Sequence, residues 1–391
     1  MNPASRPVLA WLPLVLFALL ACSVEPLDSR RPGGVAGQAG SAALGGSAGK
    51  TDDPGGASGG NGGAAGAAGS AGAAGAAGQP QTGGAGGVAE ACSELDPRNV
   101  PAEVAVLPDA GEAPFVTALA SAQSSIDVMV YQMGYGGVLD TLTSKAKAGV
   151  AVRVILDVAQ KSVNQKYMDA LIAAGAEVQW SDPGFTYMHA KVILVDGTVA
   201  VISTGNYLKS YMLKERNFVV TDRDPWDLSN LVSLFEADWL RMSPMLDCTR
   251  LLVSPINAKS RILSLIEGAQ STLVIESMQL ADSSVRNAVA ARKAAGVDVR
   301  VLLASPSWID SNQSAAEFLA SNGIPARFLS SPSVHVKAIV ADGARAYTGS
   351  ENLSYTSLTK NREVGVVMTE APAVAAIAST FDKDWANATP F

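Results

Sequence analysis

The chain from about residue 100 onward is written twice. Ala122-Gln123-Ser124 returns as Ala269-Gln270-Ser271, and Ala148-Gly149-Val150-Ala151-Val152-Arg153-Val154 returns as Ala295-Gly296-Val297-Asp298-Val299-Arg300-Val301. His189-Ala190-Lys191 returns as His335-Val336-Lys337, and Phe235, Asp238 and Trp239 return as Phe381, Asp384 and Trp385. The offset is 147 residues before the histidines and 146 from them onward. One single-residue gap over that length means two copies of a domain-sized unit, not a solenoid of short repeats.

Each copy alternates helical and strand patterns. In the first, helices are expected near Pro114–Ala122, Val138–Ala148, Lys166–Ala174 and Leu228–Leu240. Strands are expected at Ile126–Gln132, Val152–Leu156, Val178–Trp180 and Phe218–Val220, with a hairpin of Val192–Val195 and Val199–Ile202 around Asp196-Gly197. The second copy follows suit and closes with a helix near Val374–Trp385. The fold class this implies is α/β: two tandem α/β/α sandwiches, each around a largely parallel sheet, related by a pseudo-twofold axis.

The amino-terminal quarter cannot contribute to that core. From Pro32 to Val88, 38 of 57 residues are Gly or Ala, which leaves almost nothing to bury against the entropy of ordering. Glycine recurs at every third position from Gly63 to Gly78, but the proline a collagen helix needs is missing there. Ahead of this stretch, Arg6 precedes an apolar run from Val8 to Ala21, too short for a permanent span and suited to an export signal. The run stops at Leu19-Leu20-Ala21-Cys22, which resembles a bacterial lipoprotein signal with Cys22 as the lipidated residue; a soluble export signal is the alternative. The expected layout is therefore a signal over 1–22, a disordered linker over 23–90, a first repeat over 91–250 and a second over 251–391. It would place the protein outside the cytoplasm on a lipid anchor, with the outer membrane favoured by Ser23. Such a compartment permits a disulfide between Cys92 and Cys248, with two buried thiols as the alternative.

The formal net charge of −7 argues against a partner that is nucleic acid, since domains that track nucleic acid by charge are usually basic. The sequence contains two histidines in all, and they stand at matched places in the two copies. Strand alternation puts His189 and Lys191 on one face, and the Asp-Gly turn returns Asn206 beside them. His335, Lys337 and Asn352 form the equivalent set. Lysine and asparagine donors suit the oxygens of a phosphodiester, and imidazole can attack phosphorus or move protons near neutral pH. No cluster with metal-ligand spacing accompanies them.

These residues resemble the motif of the phospholipase D superfamily: His-x-Lys, an Asp five residues past the Lys, then Gly-Ser-x-Asn. The second copy has His335, Lys337, Asp342, Gly349, Ser350 and Asn352; the first has His189, Lys191, Asp196 and Asn206, with Ser203 and Thr204 in place of Gly and Ser. The resemblance implies a phospholipase D-like fold in each repeat. It also implies an active site at their interface and a metal-independent reaction through a phosphohistidine, with no cofactor. It implies roles too: His189 attacks, His335 protonates the leaving alcohol, and Lys191, Lys337, Asn206 and Asn352 hold oxygens, with Thr204 and Ser350 assisting. Asp196 and Asp342 are expected to brace the hairpins. An acidic residue 28 places after each His is a further family feature; Glu363 fills it in the second copy, while Asn217 stands there in the first. Read within each copy, that asymmetry would keep His189 neutral and His335 protonated.

The function expected first is phospholipid hydrolysis by a membrane-anchored phosphodiesterase. A phosphatidyl transferase of cardiolipin synthase type comes next, then a nuclease, then a non-catalytic module that binds phosphate-bearing ligands. Two copies in one chain complete a site without dimerisation, so a monomer is expected.

Overall fold

The computed structural model describes residues 93–246 and 248–391. Aliphatic runs become strands, and amphipathic segments become the helices that cover them. The first sheet contains β1 (Glu103–Leu107), β2 (Ser125–Val130), β3 (Ala151–Leu156), β4 (Glu177–Trp180), β5 (Lys191–Val195), β6 (Val199–Ser203) and β7 (Glu215–Asp222). Their spatial order is β1-β7-β6-β5-β2-β3-β4. The second copy supplies β8 (Leu251–Ser254), β9 (Thr272–Ser277), β10 (Asp298–Ala304), β11 (Ala326–Leu329), β12 (Ser333–Val334), β13 (Lys337–Ala341), β14 (Arg345–Gly349), β15 (Glu363–Met368) and β16 (Thr389–Pro390). Its sheet runs β16-β11-β10-β9-β13-β14-β15-β8, while β12 leaves it to pair with β7 of the first.

Helices cover both faces of each sheet. In the first copy Ile126, Val128 and Val130 of β2 pack in one core with Phe115, Leu119, Val138, Leu142 and Leu171 from the helices Ala113–Ser121, Gly137–Lys147 and Lys161–Ala173. The opposite face meets the helix Pro225–Leu240; Arg153 of β3 lies 4.8 Å over its Phe235 ring. The second copy repeats the scheme, with Arg300 of β10 5.1 Å over Phe381 of the helix Ala371–Asn387. The tandem α/β/α architecture is thus the one expected.

The strand directions correct the expectation of a largely parallel sheet. Along the main path of each sheet β2-β3-β4 and β9-β10-β11 run parallel and the other pairs are antiparallel; the β12–β7 pair between the copies is parallel too. The physical reason is connection length. Crossover helices join the parallel strands, whereas β5 and β6 turn back directly at Asp196-Gly197, and a one-turn helix returns the chain into β7. The edge strands β1 and β8 were not expected either, because runs of five and four residues carry too little pattern.

Asp196 and Asp342 sit at these hairpin turns, in the left-handed region with φ of 52° and 58°. The Asp196 carboxylate accepts hydrogen bonds from the backbone N–H groups of Gln123, Ser124 and Ser125 and from the Ser124 hydroxyl, at 2.7–2.8 Å. Asp342 does the same with Gln270, Ser271 and Thr272. This explains why the Ser of Ala-Gln-Ser recurs: its hydroxyl and its N–H both bind the Asp, at the end of β5 or β13 away from the histidine. Despite an opposing effect of burial, these bonds hold both carboxyls far below the usual carboxylate range. The stability they add is therefore full above the unfolded-state value and fades as pH falls through the folded one. Asp196→Ala should cost about 1–2 kcal/mol at pH 7, without loss of activity. In acid melts below about pH 4 the difference from wild type should close.

Candidate active site

The two copies meet through their motif segments. β12, which runs into His335, pairs in parallel with the start of β7, Ser333 opposite Glu215 and Val334 opposite Arg216. Met188, the residue before His189, forms the matching bridge with Arg362. The backbone N–H of His189 donates to the Arg362 carbonyl at 2.9 Å, and that of His335 to the Arg216 carbonyl at 3.1 Å. Two ion pairs cross the same seam. Arg216 Nε lies 2.5 Å from Asp384, and Arg362 Nη2 donates to Asp238 at 3.0 Å. Asp238 and Asp384 belong to the recurring Phe-x-x-Asp-Trp pattern, so the repeat itself encodes the clamp.

This crossing brings both histidine–lysine sets to one place. His189 is 8% exposed, His335 2%, and both lysines are fully buried. Lys337 Nζ donates across the seam to the Thr204 carbonyl at 3.2 Å and to its own His335 carbonyl at 2.7 Å. Lys191 Nζ donates to the His189 carbonyl and lies 5.5 Å over the Tyr131 ring. Asn206 and Asn352 are buried beside them, and in both the Oδ1 atom has no hydrogen-bond partner among the described residues. A matched pair of unsatisfied buried amides calls for an explanation. Amides that bind substrate supply one, since either end can be turned to it.

The imidazole partners overturn the pairing read within each copy. Glu363 does not serve His335. Its Oε2 lies 2.8 Å from Nδ1 of His189 in the other repeat. Asn217 likewise serves the opposite histidine: its Oδ1 is 3.1 Å from Nδ1 of His335, and Glu215 Oε2 is 3.4 Å from the same atom. Spacing along the chain places an acid after a histidine; it does not say which copy's histidine that acid meets. The expectation that Glu363 keeps His335 protonated therefore falls. Burial first, then Lys337, Lys191 and His189, hold His335 well below the ordinary imidazole range. Burial also lowers His189, to about 4, against the opposing pull of Glu363. Glu363 remains ionised below the usual glutamate range: burial would raise it, but His189 and Lys191 outweigh that, with bonds from Ser357 and Asn361 adding to them. Behind it Glu351, bonded to Tyr347 Oη at 2.8 Å, is pushed up to about 8, chiefly by burial and then by the Glu363 charge. Among the described residues Glu363 is the carboxylate that bonds His189.

Two further expectations change. Thr204 and Ser350 were assigned to substrate oxygens. Instead Thr204 Oγ1 donates to Asn217 Oδ1 at 2.8 Å and accepts from the Phe218 N–H, while Ser350 Oγ accepts from the Val364 N–H at 3.0 Å. Both hydroxyls knit the motif turn to the next strand, as a small hydroxyl residue beside a strand edge readily does. Glu215, Arg216, Arg362, Tyr131 and Trp308 were missed. The Tyr131 ring lies 4.8 Å from His189, and Trp308 lies 6.1 Å from His335. The arginines recur at the histidine offset, a signal the sequence did contain; the aromatics do not, and only the fold brings them in.

Cys248 is disulfide-bonded, so the alternative of two buried thiols falls; Cys92 and Cys22 both lie outside the described residues. The expected signal and linker lie outside them too. Among the described residues no helix is long and apolar enough to cross a membrane.

A family model described as "Cardiolipin synthase, PLD-like domain" matches residues 115–239 and again 262–385. The chain belongs to this phospholipase D-like family. One match falls in each copy, so the repeat of the sequence is a repeat of the phospholipase D-like domain. The chain is 24% identical over 294 residues to a cardiolipin synthase of Clostridium perfringens strain SM101, covering 63% of this chain and 61% of that one. It is 26% identical over 303 residues to cardiolipin synthase 1 of Bacillus cereus, covering 64% and 59%. It thus spans about three fifths of the length of these curated relatives. Among solved structures, phosphatidylserine synthase of Haemophilus influenzae shares the phospholipase D-like fold, with a TM-score of 0.58 and 13% identity over 75% of this chain and 90% of that one.

Proposed function

We propose that this member of the phospholipase D superfamily is a phosphatidyl transferase of cardiolipin synthase type. The observation that carries the reading is the crossed pair of imidazoles, each oriented at Nδ1 by the opposite repeat. With Nδ1 engaged, Nε2 is the atom left to each ring for chemistry. His189 is neutral above about pH 4, as a nucleophile must be. Its Nε2 attacks phosphorus, the bond to the leaving alcohol breaks, and His335 Nε2–H gives its proton to the departing oxygen. Glu363 balances the positive charge that forms on His189. In the second half His335 takes the proton of the incoming hydroxyl, whose oxygen attacks phosphorus and frees His189. Lys191, Lys337, Asn206 and Asn352 donate to the non-bridging oxygens throughout. The lysine charges that depress His335 are offset when an anionic diester arrives, so the general acid is charged along with substrate binding.

Two things favour transfer over the hydrolysis expected first. The curated relatives are named cardiolipin synthases, and the histidines and lysines are almost closed to solvent, which handicaps water relative to an alcohol presented by a lipid. The same proposal carries the export signal, the lipid anchor at Cys22 and a monomeric enzyme acting on phospholipids at a membrane surface.

The test uses purified full-length chain, detergent-dispersed phosphatidylglycerol and a chelator. Accumulation of a diphosphatidyl product with free glycerol is expected. Phosphatidic acid as the sole product would return the reading to hydrolysis, and absence of any turnover of phosphatidylglycerol, phosphatidylcholine or plasmid would reject both.

A further inference from the structure

The acid and amide flanking the arginine shared by the two copies stand in opposite order: Glu215-Arg216-Asn217 against Asn361-Arg362-Glu363. Both pairs are joined internally. Asn361 Nδ2 donates to Glu363 Oε1 at 3.0 Å, and Asn217 Nδ2 donates to Glu215 Oε2 at 3.3 Å. At His189 the acid takes Nδ1 directly. At His335 the amide stands nearer, at 3.1 Å, with the acid next to it at 3.4 Å. The first copy therefore still presents a carboxylate to the opposite histidine, two residues earlier along its strand than Glu363 in the second.

We propose that Glu215 is a positioning residue for His335, supplying the negative charge that steadies its imidazolium while Asn217 fixes the ring. This rests on the reading of the site as a two-histidine phosphoryl-transfer centre. An amide oxygen on Nδ1 orients a ring but adds no charge. Lys337, Lys191 and His189 all oppose protonation of His335. Glu215 is the carboxylate within ion-pair distance of it. The geometry also matches the task. A carboxylate bonded straight to Nδ1 makes imidazolium a poor proton donor, which suits His189, whose positive charge must persist in the covalent intermediate. An interposed amide leaves His335 the stronger acid. Burial pushes the Glu215 carboxyl up to about 7, with Asn217, Lys337 and Lys191 opposing, so its charge is present on the alkaline side of neutrality, where His335 most needs it.

Because the chain has two histidines in all, nitrogen-15 labelling resolves each ring by NMR, assigned with H189N and H335N. In full-length protein with inorganic phosphate added, Glu215→Gln should lower the protonation equilibrium of His335 about tenfold and leave His189 in place. In the transfer assay the same variant should lower kcat at little change in KM and move the alkaline limb of the rate profile to lower pH. E215N should move that limb the same way, and E215N/N217E, which copies the order of the second repeat, should restore it. An unmoved His335 titration in a folded Glu215→Gln protein overturns the proposal. So does an unchanged alkaline limb while wild type is active. Should wild type lack all diester turnover, the site reading has failed, and the NMR titration alone decides whether Glu215 sets the charge of His335.

Discussion

His189→Asn should abolish phosphatidyl transfer, a loss on the order of 10⁴-fold or more, as for removal of the nucleophile or base of other enzymes. Asparagine keeps a polar group near Glu363 but has no ring nitrogen to attack phosphorus. Enzyme mixed with radiolabelled phosphatidylglycerol and denatured in alkaline detergent should carry label in wild type, since a phosphorus–nitrogen bond survives alkali and is cleaved by acid. The variant should carry none. Persistence of wild-type labelling in H189N would remove His189 from the covalent step. His335→Asn separates the second role. It should be nearly inactive on lipid yet still form labelled enzyme from a diester with a nitrophenol leaving group, which needs no proton to depart. If both diesters fail equally, His335 is not the general acid.

The second large effect is on stability. Asp238→Ala should destabilise the folded chain by about 3–5 kcal/mol, the usual result of leaving one partner of a buried ion pair unmatched. Burial, opposed by the Arg362 charge, leaves the Asp238 carboxyl above its ordinary range. Arg362 and Asp238 are both about 3% exposed or less at their side chains. The expected fall in Tm is on the order of 10 °C by differential scanning fluorimetry. Activity should fall with it even below the melting range, because the Arg362 carbonyl receives the N–H of His189. The opposite clamp has a different character. Glu276, fully buried and held protonated chiefly by burial and then by Asp384, lies beside the Arg216–Asp384 pair. Replacing Asp384 would leave a second carboxyl to pair with Arg216, so Asp238 gives the cleaner measurement.

The sequence carried the duplication, the helices, the central strands and the two histidine–lysine sets, because each is a local pattern seen twice. It carried the hairpins too, because Asp-Gly forces a turn. Strand direction was less legible, since apolar runs look alike in either orientation. The partners of His189 and His335 were not legible at all. Glu363 and Asn217 lie 28 residues past the histidine of their own copy, and that spacing holds whichever ring they face. Thr204 and Ser350 misled for a related reason: a hydroxyl in a motif reads as a ligand group until the neighbouring strand is seen to occupy it. Arg216 and Arg362 were legible in principle, at the same offset as Asp238 and Asp384, but nothing along one strand marks a charge as destined for the other repeat.

The exchange of imidazole partners makes the doubling more than redundancy. Either half expressed by itself would own a nucleophile or an acid with nothing to orient it, and a half transplanted onto an unrelated relative would bring the wrong neighbour to its new companion's ring. The two halves are thus obliged to change together, much as the arms of an intertwined dimer are, although here a single polypeptide joins them.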